Sequence, residues 1–412
     1  MSETRKYVTF GSAPHGVRLL PASKSLSNRA LVINRLAGGQ LSDIRNLAVC
    51  DDTAAVADAF ANAGGEINIG AAGTAMRFLT AYYAIRPSGE NESVLLTGSE
   101  RMKHRPIGVL ADALKTLDAQ VEYAENEGFP PLRITPQPLQ GGSLTIDGSI
   151  SSQYISALLM IAPCMQQGLR LQLTGKIASK PYIDMTLALM NRYGAKAAWN
   201  GTTIEVAHGG YRPRVFEVES DWSAASYWYQ LLALCSDETA WIELHGLQKD
   251  SLQGDHCVAD WFVPLGVTTE YTASGVVLRK TKCSAAQLAL DFTLAPDLAQ
   301  TFVVTCCLMG IPFEFTGLES LKIKETDRIA ALRCECAKLG FVLQEPCHGS
   351  LTFDGKRGPM APCVVIDTYK DHRMAMAFAP VAVTDGWVTI ADPAVVSKSY
   401  PDFWNEFERT DD

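Results

Sequence analysis

A recurring pair of helices constrains this chain more than any other feature. Six times along the 412 residues an apolar stretch opens just after a small, polar or proline residue. The starts are Ser25 (SLSNRALVINRLAGG), Gly73 (GTAMRFLTAYYAI), Ser151 (SSQYISALLMIAP), Asp221 (DWSAASYWYQLLALC), Pro296 (PDLAQTFVVTCCLMG) and Asp371 (DHRMAMAFAPVAV). A second, more amphipathic helical pattern follows each, from Asp51, Pro106, Pro181, Gly254, Glu325 and Pro401 onward. Four of these second helices end in an apolar-glycine step and then a strand (AGGEINI, YGAKAAW, LGVTTEY, LGFVLQE), and a fifth has Asp118 in the glycine slot. Glycine takes the left-handed cap geometry freely, and aspartate is among the few other residues that tolerate it. β-rich runs such as SVLLTG, LRLQLTG, WIELHG and PFEFTG lie between the helices. At roughly 69 residues per unit there is room for two helices and three or four strands. The expectation is an α/β protein of six βαβαββ units, grouped three and three, in preference to an α/β chain with accidental periodicity.

Composition removes several function classes. With 47% hydrophobic residues the chain can fill two or three ordinary cores. Residues 1–10 carry charges with no apolar core behind them, which supports neither a secretory signal nor a transit peptide and points to the cytoplasm. The longest apolar stretches, residues 155–165 and 302–313, are interrupted by Ser, Pro, Thr or Gly and are too short to span a membrane. The eleven cysteines sit among apolar neighbours and read as reduced core residues. Cys334 and Cys336 are two apart in a helical pattern, so they face different ways and do not suggest a shared metal. A net charge of −9 argues against nucleic acid as a partner. Basic residues that cluster in so acidic a chain therefore stand out.

Four of the six starts have the chemistry of an anion seat. A helix N-terminus presents unpaired N–H groups and partial positive charge, and small residues let a ligand approach it. Lys24-Ser25 precedes the first helix with Arg29 one turn on; residues 70–74 (GAAGT) open the second; Ser151-Ser152-Gln153 open the third; His372-Arg373 sit in the sixth. Each alone reads as a plain cap; together they suggest several anionic groups. Arg77, Arg105, Lys180, Lys324, Arg328 and Lys398 adjoin Gly, Pro or Ser turns or element ends, where lysine and arginine are either solvated surface charges or contacts for phosphate and carboxylate. The run from Lys324 to Arg328 (KETDR) is expected to start a helix, placing Glu325 and Arg328 on one face. The pair is either a surface ion pair or a proton carrier beside substrate-binding cations.

The ordered set SKSLSNRA, GTAMR, RMKHRPIG, SSQYISALL, SKPYID, APD, KETDR, DHRMAM and KSYPDF, spread over the whole chain, resembles the 5-enolpyruvylshikimate-3-phosphate (EPSP) synthase family of enolpyruvyl transferases. The resemblance implies a two-lobed, inside-out α/β barrel with three units per lobe. One lobe would span residues 23–221 and the other residues 1–22 plus 222–412, with a double-crossover hinge near 20–23 and 219–222 and a cleft between the lobes. It implies transfer of the carboxyvinyl group of phosphoenolpyruvate to shikimate-3-phosphate by a chain that works as a monomer, without metal or organic cofactor.

By motif position, the resemblance assigns Ser25 and Arg29 to the shikimate carboxylate and Ser151, Ser152 and Ser179 to its phosphate. Tyr182 would flank the ring, Asp297 and Lys324 would meet its hydroxyls, and Gln153 and Ser320 would also belong to this acceptor site. Lys24, Gly73, Arg105 and Gln153 fall around the phosphoenolpyruvate phosphate, with Arg328, Arg373 and Lys398 around its carboxylate and His372 close by. Glu325, Asp297 and Lys24 would carry the chemistry. Three positions depart from the family pattern: Ala71 and Ser320 stand where asparagine is common, and Phe78 where several members have proline. Two alternatives compete. A sibling transferase acting on a UDP-amino sugar usually carries a reactive loop cysteine, and residues 101–121 contain none. A non-catalytic relative that only binds ligand would not need Glu325, Asp297 and Lys24 in register.

Overall fold

The computed structural model describes residues 4–11, 14–61, 65–85, 92–177 and 179–409. All six apolar starts open helices. Four have a side-chain cap: Ser23 accepts from Leu26 N–H, Ser151 from Gln153, Asp221 from Ala224 and Asp371 from Arg373. Gly73–Ile85 begins at its glycine, and Pro296–Leu298 is a 3-10 turn that runs into Ala299–Met309. At the first start the cap is Ser23, so Lys24 and Ser25 lie inside the first helical turn and not ahead of it.

These helices are buried on nearly every side, which requires neighbours all round. The chain divides into two compact units, Ala22–Val218 and Met1–Pro21 with Glu219–Asp412. Within the first, Lys24–Leu36, Gly73–Ile85 and Ser152–Ile161 pack on one another. Within the second, Ala299–Met309 packs against both Trp222–Leu234 and His372–Phe378, and Gln230 Nε2 donates to the Ala377 carbonyl. Hydroxyls inside these helices are satisfied locally, as where Thr80 donates to the Met76 carbonyl and Thr305 to that of Thr301.

Small sheets flank the helices, and one order recurs. Gly65–Asn68 runs parallel to Val94–Thr97, with the buried helix as the crossover. An antiparallel pair, Leu132–Thr135 and Gln120–Tyr123, extends the sheet. The same order is built from Gly142–Asp147, Leu169–Thr174, Thr203–Val206 and Ala197–Asn200, and again from Val17–Arg18, Trp241–His245, Gly275–Lys280 and Val267–Tyr271. The other sheets are shorter. Leu288–Asp291, Phe313–Thr316 and Leu351–Phe353 form one; Val365–Ile366, Trp387–Ala391 and Arg5–Thr9 form another; Phe216–Glu217 pairs with Ile44–Arg45. Strands from distant parts of the chain thus complete three of the sheets.

Local details differ from the sequence expectation. The run after Gly340 (FVLQE) makes only isolated bridges, Phe341 to Arg357 and Gln344 to Thr352. The helices expected from Gly254 and Pro401 shrink to Gly254–Cys257 with Val258–Trp261, and to Phe403–Phe407. Residues 62–64, where the first amphipathic helix is expected to end, lie outside the described residues. Asp118 does take the glycine role, at φ 70°, and its counterpart Gly194 sits at φ 87°. All eleven cysteines are unpaired, with Cys334 exposed and Cys336 buried. No described helix is long and apolar enough to cross a membrane.

Candidate active site

In the unit Ala22–Val218, three helix starts carry the relevant side chains. Arg29 is buried and stretched across elements: Nε donates to Thr186 Oγ1 (2.7 Å), Nη1 to the Ser25 carbonyl (2.9 Å), and Nη2 to Ser156 Oγ (3.1 Å) and the Tyr182 carbonyl (3.3 Å). Its guanidinium lies 5.3 Å from the Phe78 ring and 5.9 Å from that of Tyr182. These hydrogen bonds go to neutral oxygens, and burial lowers the Arg29 pKa to about 10. The group stays charged at neutral pH, and a bound carboxylate would complete its environment.

A second cluster forms at Gly73. A Cβ added there would sit 2.4 Å from Arg105 Nη1 and 3.0 Å from Arg77 Nη1, so two guanidiniums converge on the N-terminus of a thirteen-residue helix. Arg77 is tied down by the Gly73 carbonyl (2.8 Å) and packs over the Tyr154 ring (5.3 Å); the Tyr154 hydroxyl in turn donates to the Pro106 carbonyl next to Arg105. Gln153 Nε2 donates to Thr74 Oγ1 (3.0 Å) on the same turn. Ser151 caps its helix and Ser152 is buried in the first turn. Ser179 is left-handed (φ 53°) immediately before Lys180–Arg192. Lys24 Nζ lies 3.4 Å from buried Asp52.

In the other unit a single guanidinium organises the site. Arg328 is 1% exposed and meets three carboxylates: Asp371 through Nε (2.7 Å), Asp297 through Nη1 (3.0 Å) and Glu325 through Nη2 (3.0 Å). Further cations close the ring, with Lys398 Nζ 2.7 Å from Glu325, Arg373 Nη2 3.0 Å from Asp297 and Lys324 Nζ 3.6 Å from Asp297. Burial alone would raise the Asp297 pKa, but Arg373, Lys324 and Arg328 outweigh it and hold the carboxyl well below its usual range. His372 is buried beside Asp371, and Ser320 is half-buried in the 3-10 turn Glu319–Ile323.

One expectation about this segment is corrected. Glu325 is not on the helix face with Arg328, because Asp327 accepts from Ala330 N–H and the helix begins at Arg328. The ion pair forms from the turn that precedes it. Three acidic residues outside the sequence-derived set also enter: Asp52, Asp255 and Asp371. Asp371 carried a signal, as the capping residue of an expected helix; Asp52 and Asp255 sit in ordinary-looking runs and gain meaning only from their neighbours. Among the described residues, no group of three or more His, Cys, Asp or Glu side chains is arranged to hold a metal ion.

Cations at helix starts in one unit and an arginine-centred carboxylate cluster in the other are features that can be compared with known proteins. The family model of EPSP synthase (3-phosphoshikimate 1-carboxyvinyltransferase) matches residues 60–407. The chain belongs to this family. It is 52% identical over 402 residues to the 3-phosphoshikimate 1-carboxyvinyltransferase of Bacteroides fragilis strain YCH46, covering 97% of this chain and 96% of that protein. Against the protein of the same name from Vibrio cholerae (strain O395) it is 37% identical over 417 residues, covering 94% and 95%. The EPSP synthase fold is equally evident in solved structures. EPSP synthase from Acinetobacter baumannii superposes with a TM-score of 0.77 at 20% identity, over 98% of this chain and 97% of that one. The enolpyruvyl transferase NikO from Streptomyces tendae gives 0.71 at 15% identity, over 97% and 96%.

Proposed function

We propose that this chain transfers the carboxyvinyl group of phosphoenolpyruvate to the 5-hydroxyl of shikimate-3-phosphate and releases phosphate, as a 3-phosphoshikimate 1-carboxyvinyltransferase of the pathway to chorismate. The observation that carries the reading is the pairing of Asp297 and Glu325 on the one buried guanidinium of Arg328, with Lys324, Arg373 and Lys398 around them. Two carboxylates and a ring of cations suit a reaction that moves protons between anionic substrates. Arg29, with Ser25, Ser151, Ser152, Ser179 and Tyr182, is assigned to shikimate-3-phosphate, with Lys324, Gln153 and Ser320 also at its site. Lys24, Gly73, Arg105 and Gln153 are assigned to the phosphate of phosphoenolpyruvate, and Arg328, Arg373, Lys398 and His372 to its carboxylate.

The chemistry is addition followed by elimination. Asp297 accepts the proton of the 5-hydroxyl as its oxygen bonds to the central carbon of phosphoenolpyruvate. Glu325 delivers a proton to the methylene carbon, which becomes the methyl group of a tetrahedral intermediate. The bond from the central carbon to the phosphate oxygen then breaks, a methyl proton returns to Glu325, Lys24 neutralises the departing phosphate, and Asp297 gives up its proton to solvent. Each proton transfer contributes roughly a hundred- to ten-thousand-fold. Arg328, Arg373 and Lys324 hold Asp297, and Arg328 and Lys398 hold Glu325. Binding of substrate carboxylate draws Arg373 and Lys398 away, which raises the basicity of Asp297 and lets Glu325 take a proton.

Phosphate release from phosphoenolpyruvate with shikimate-3-phosphate tests the reading. Glu325→Gln should abolish turnover while shikimate-3-phosphate still binds. No phosphate from the wild type would end the proposal, and release with a UDP-amino sugar alone would favour the sibling activity.

A further inference from the structure

Asp255 lies in the turn Gly254–Cys257 and is only 3% exposed. One carboxylate oxygen accepts a hydrogen bond from Ser223 Oγ, in the first turn of Trp222–Leu234; the other, Oδ1, is buried with no hydrogen-bond partner among the described residues. A bare buried oxygen on an ionised carboxylate is costly, whereas a protonated carboxyl is not charged and tolerates the place far better. The charged and titratable groups that face Asp255 come from four elements. Asp297 is on the turn Pro296–Leu298, Arg373 on His372–Phe378, Asp221 caps Trp222–Leu234, and Cys257 is on the turn of Asp255 itself. Burial first, and then the charge of Asp297, push the Asp255 carboxyl up to about 7, with Arg373 and the Ser223 hydroxyl acting the other way.

The charge count of the neighbouring site gives this group a role. Lys324, Arg328, Arg373 and Lys398 supply four positive charges, and Asp297, Glu325 and Asp371 supply three negative ones, leaving one positive charge over. An ionised Asp255 cancels that excess and competes with an incoming carboxylate for Arg373. A neutral one leaves it available.

Resting on the proposed reaction, we infer that Asp255 is a positioning residue for the anionic substrate: it must carry a proton for Arg373 to engage the phosphoenolpyruvate carboxylate, so binding of that substrate is coupled to proton uptake at Asp255. Nothing in this role touches the reacting atoms, so the effect belongs in KM and not in kcat.

The test is the KM for phosphoenolpyruvate, at saturating shikimate-3-phosphate, from pH 6 to 9 in wild type and Asp255→Asn. The amide is a permanently neutral replacement, and titration of the substrate itself cancels in the ratio of the two enzymes. The wild-type to variant KM ratio should be flat below about pH 6.5 and climb above pH 7, approaching roughly tenfold per pH unit, while the kcat ratio stays level. Ser223→Ala removes the hydrogen bond that favours the ionised form, so it should move the rise to higher pH; it also decides the matter if Asp255→Asn does not fold. A KM ratio that does not change with pH, or a Ser223→Ala profile that coincides with wild type, overturns the inference while phosphate release stands. No phosphate release from wild type at any pH overturns the reaction and this coupling together.

Discussion

Gly73→Ala separates a structural from a functional account of the first unit. The new Cβ would lie 2.4 Å from Arg105 Nη1 and 3.0 Å from Arg77 Nη1, against about 3.4 Å for ordinary contact. The nearest atom is the tip of a flexible side chain, so Arg105 can withdraw by about 1 Å at little cost to folding. Alanine also propagates a helix better than glycine by up to about 1 kcal/mol, so the melting temperature should hold or rise slightly. Phosphate binding has no such relief. Moving a guanidinium from about 2.8 to about 3.8 Å from an anionic oxygen forfeits about 1.5 kcal/mol at an effective dielectric near 20, and about 3 kcal/mol if the charge-assisted hydrogen bond is lost outright. The KM for phosphoenolpyruvate should therefore rise roughly ten- to a hundred-and-fifty-fold, with that for shikimate-3-phosphate nearly unchanged. Steady-state kinetics with each substrate varied in turn, alongside a thermal melt, reads both halves. A change under about threefold would show that Arg105 does not meet the phosphate, and equal rises for both substrates would point to general loosening.

Arg328→Ala takes the arginine from the fully buried Asp371, while Asp297 keeps Arg373 and Lys324 and Glu325 keeps Lys398; it should cost about 3–5 kcal/mol in urea unfolding, and a loss under about 1 kcal/mol would mean the cluster relaxes by itself. Ala71→Asn adds an amide at the exposed turn before Gly73 and should lower the KM for phosphoenolpyruvate about two- to tenfold; unchanged affinity would show that the amide contact is dispensable. Asp255 has a folded-state pKa raised to about 7, so its contribution to stability is full below the ordinary carboxyl range and is lost as pH rises through that value. Asp255→Asn should consequently raise the melting temperature more at pH 8 than at pH 5, and an equal shift at both would contradict the buried, protonated carboxyl.

The buried helices are legible because their apolar residues run round the whole circumference and four of the six starts carry a capping side chain, Asp221 and Asp371 among them. Asp118 was readable from its place in a repeated pattern. What sequence could not supply is long-range. The two-residue strand Phe216–Glu217 has no pattern of its own and exists only because Ile44–Arg45 lies beside it. Glu325 was placed one turn too far into a helix because Asp327 competes as a cap, and spacing rules do not weigh one cap against another. Asp255 looked like any turn aspartate. Its character comes from burial near Asp297, and those residues are far apart in the chain.

The sheet that joins Arg5–Thr9 to Trp387–Ala391 has a consequence for biosynthesis. Arg5–Thr9 meets its partner strand only when the ribosome has added the residues up to Trp387–Ala391, which at about 5–20 residues per second is a wait of roughly twenty to seventy-five seconds. The unit Ala22–Val218 contains all of its own strands and can finish while that early segment is still idle. Nascent chains should therefore pass through a stage with one completed half and an unclaimed β-edge, and that stage is where a holding chaperone would have the most to do.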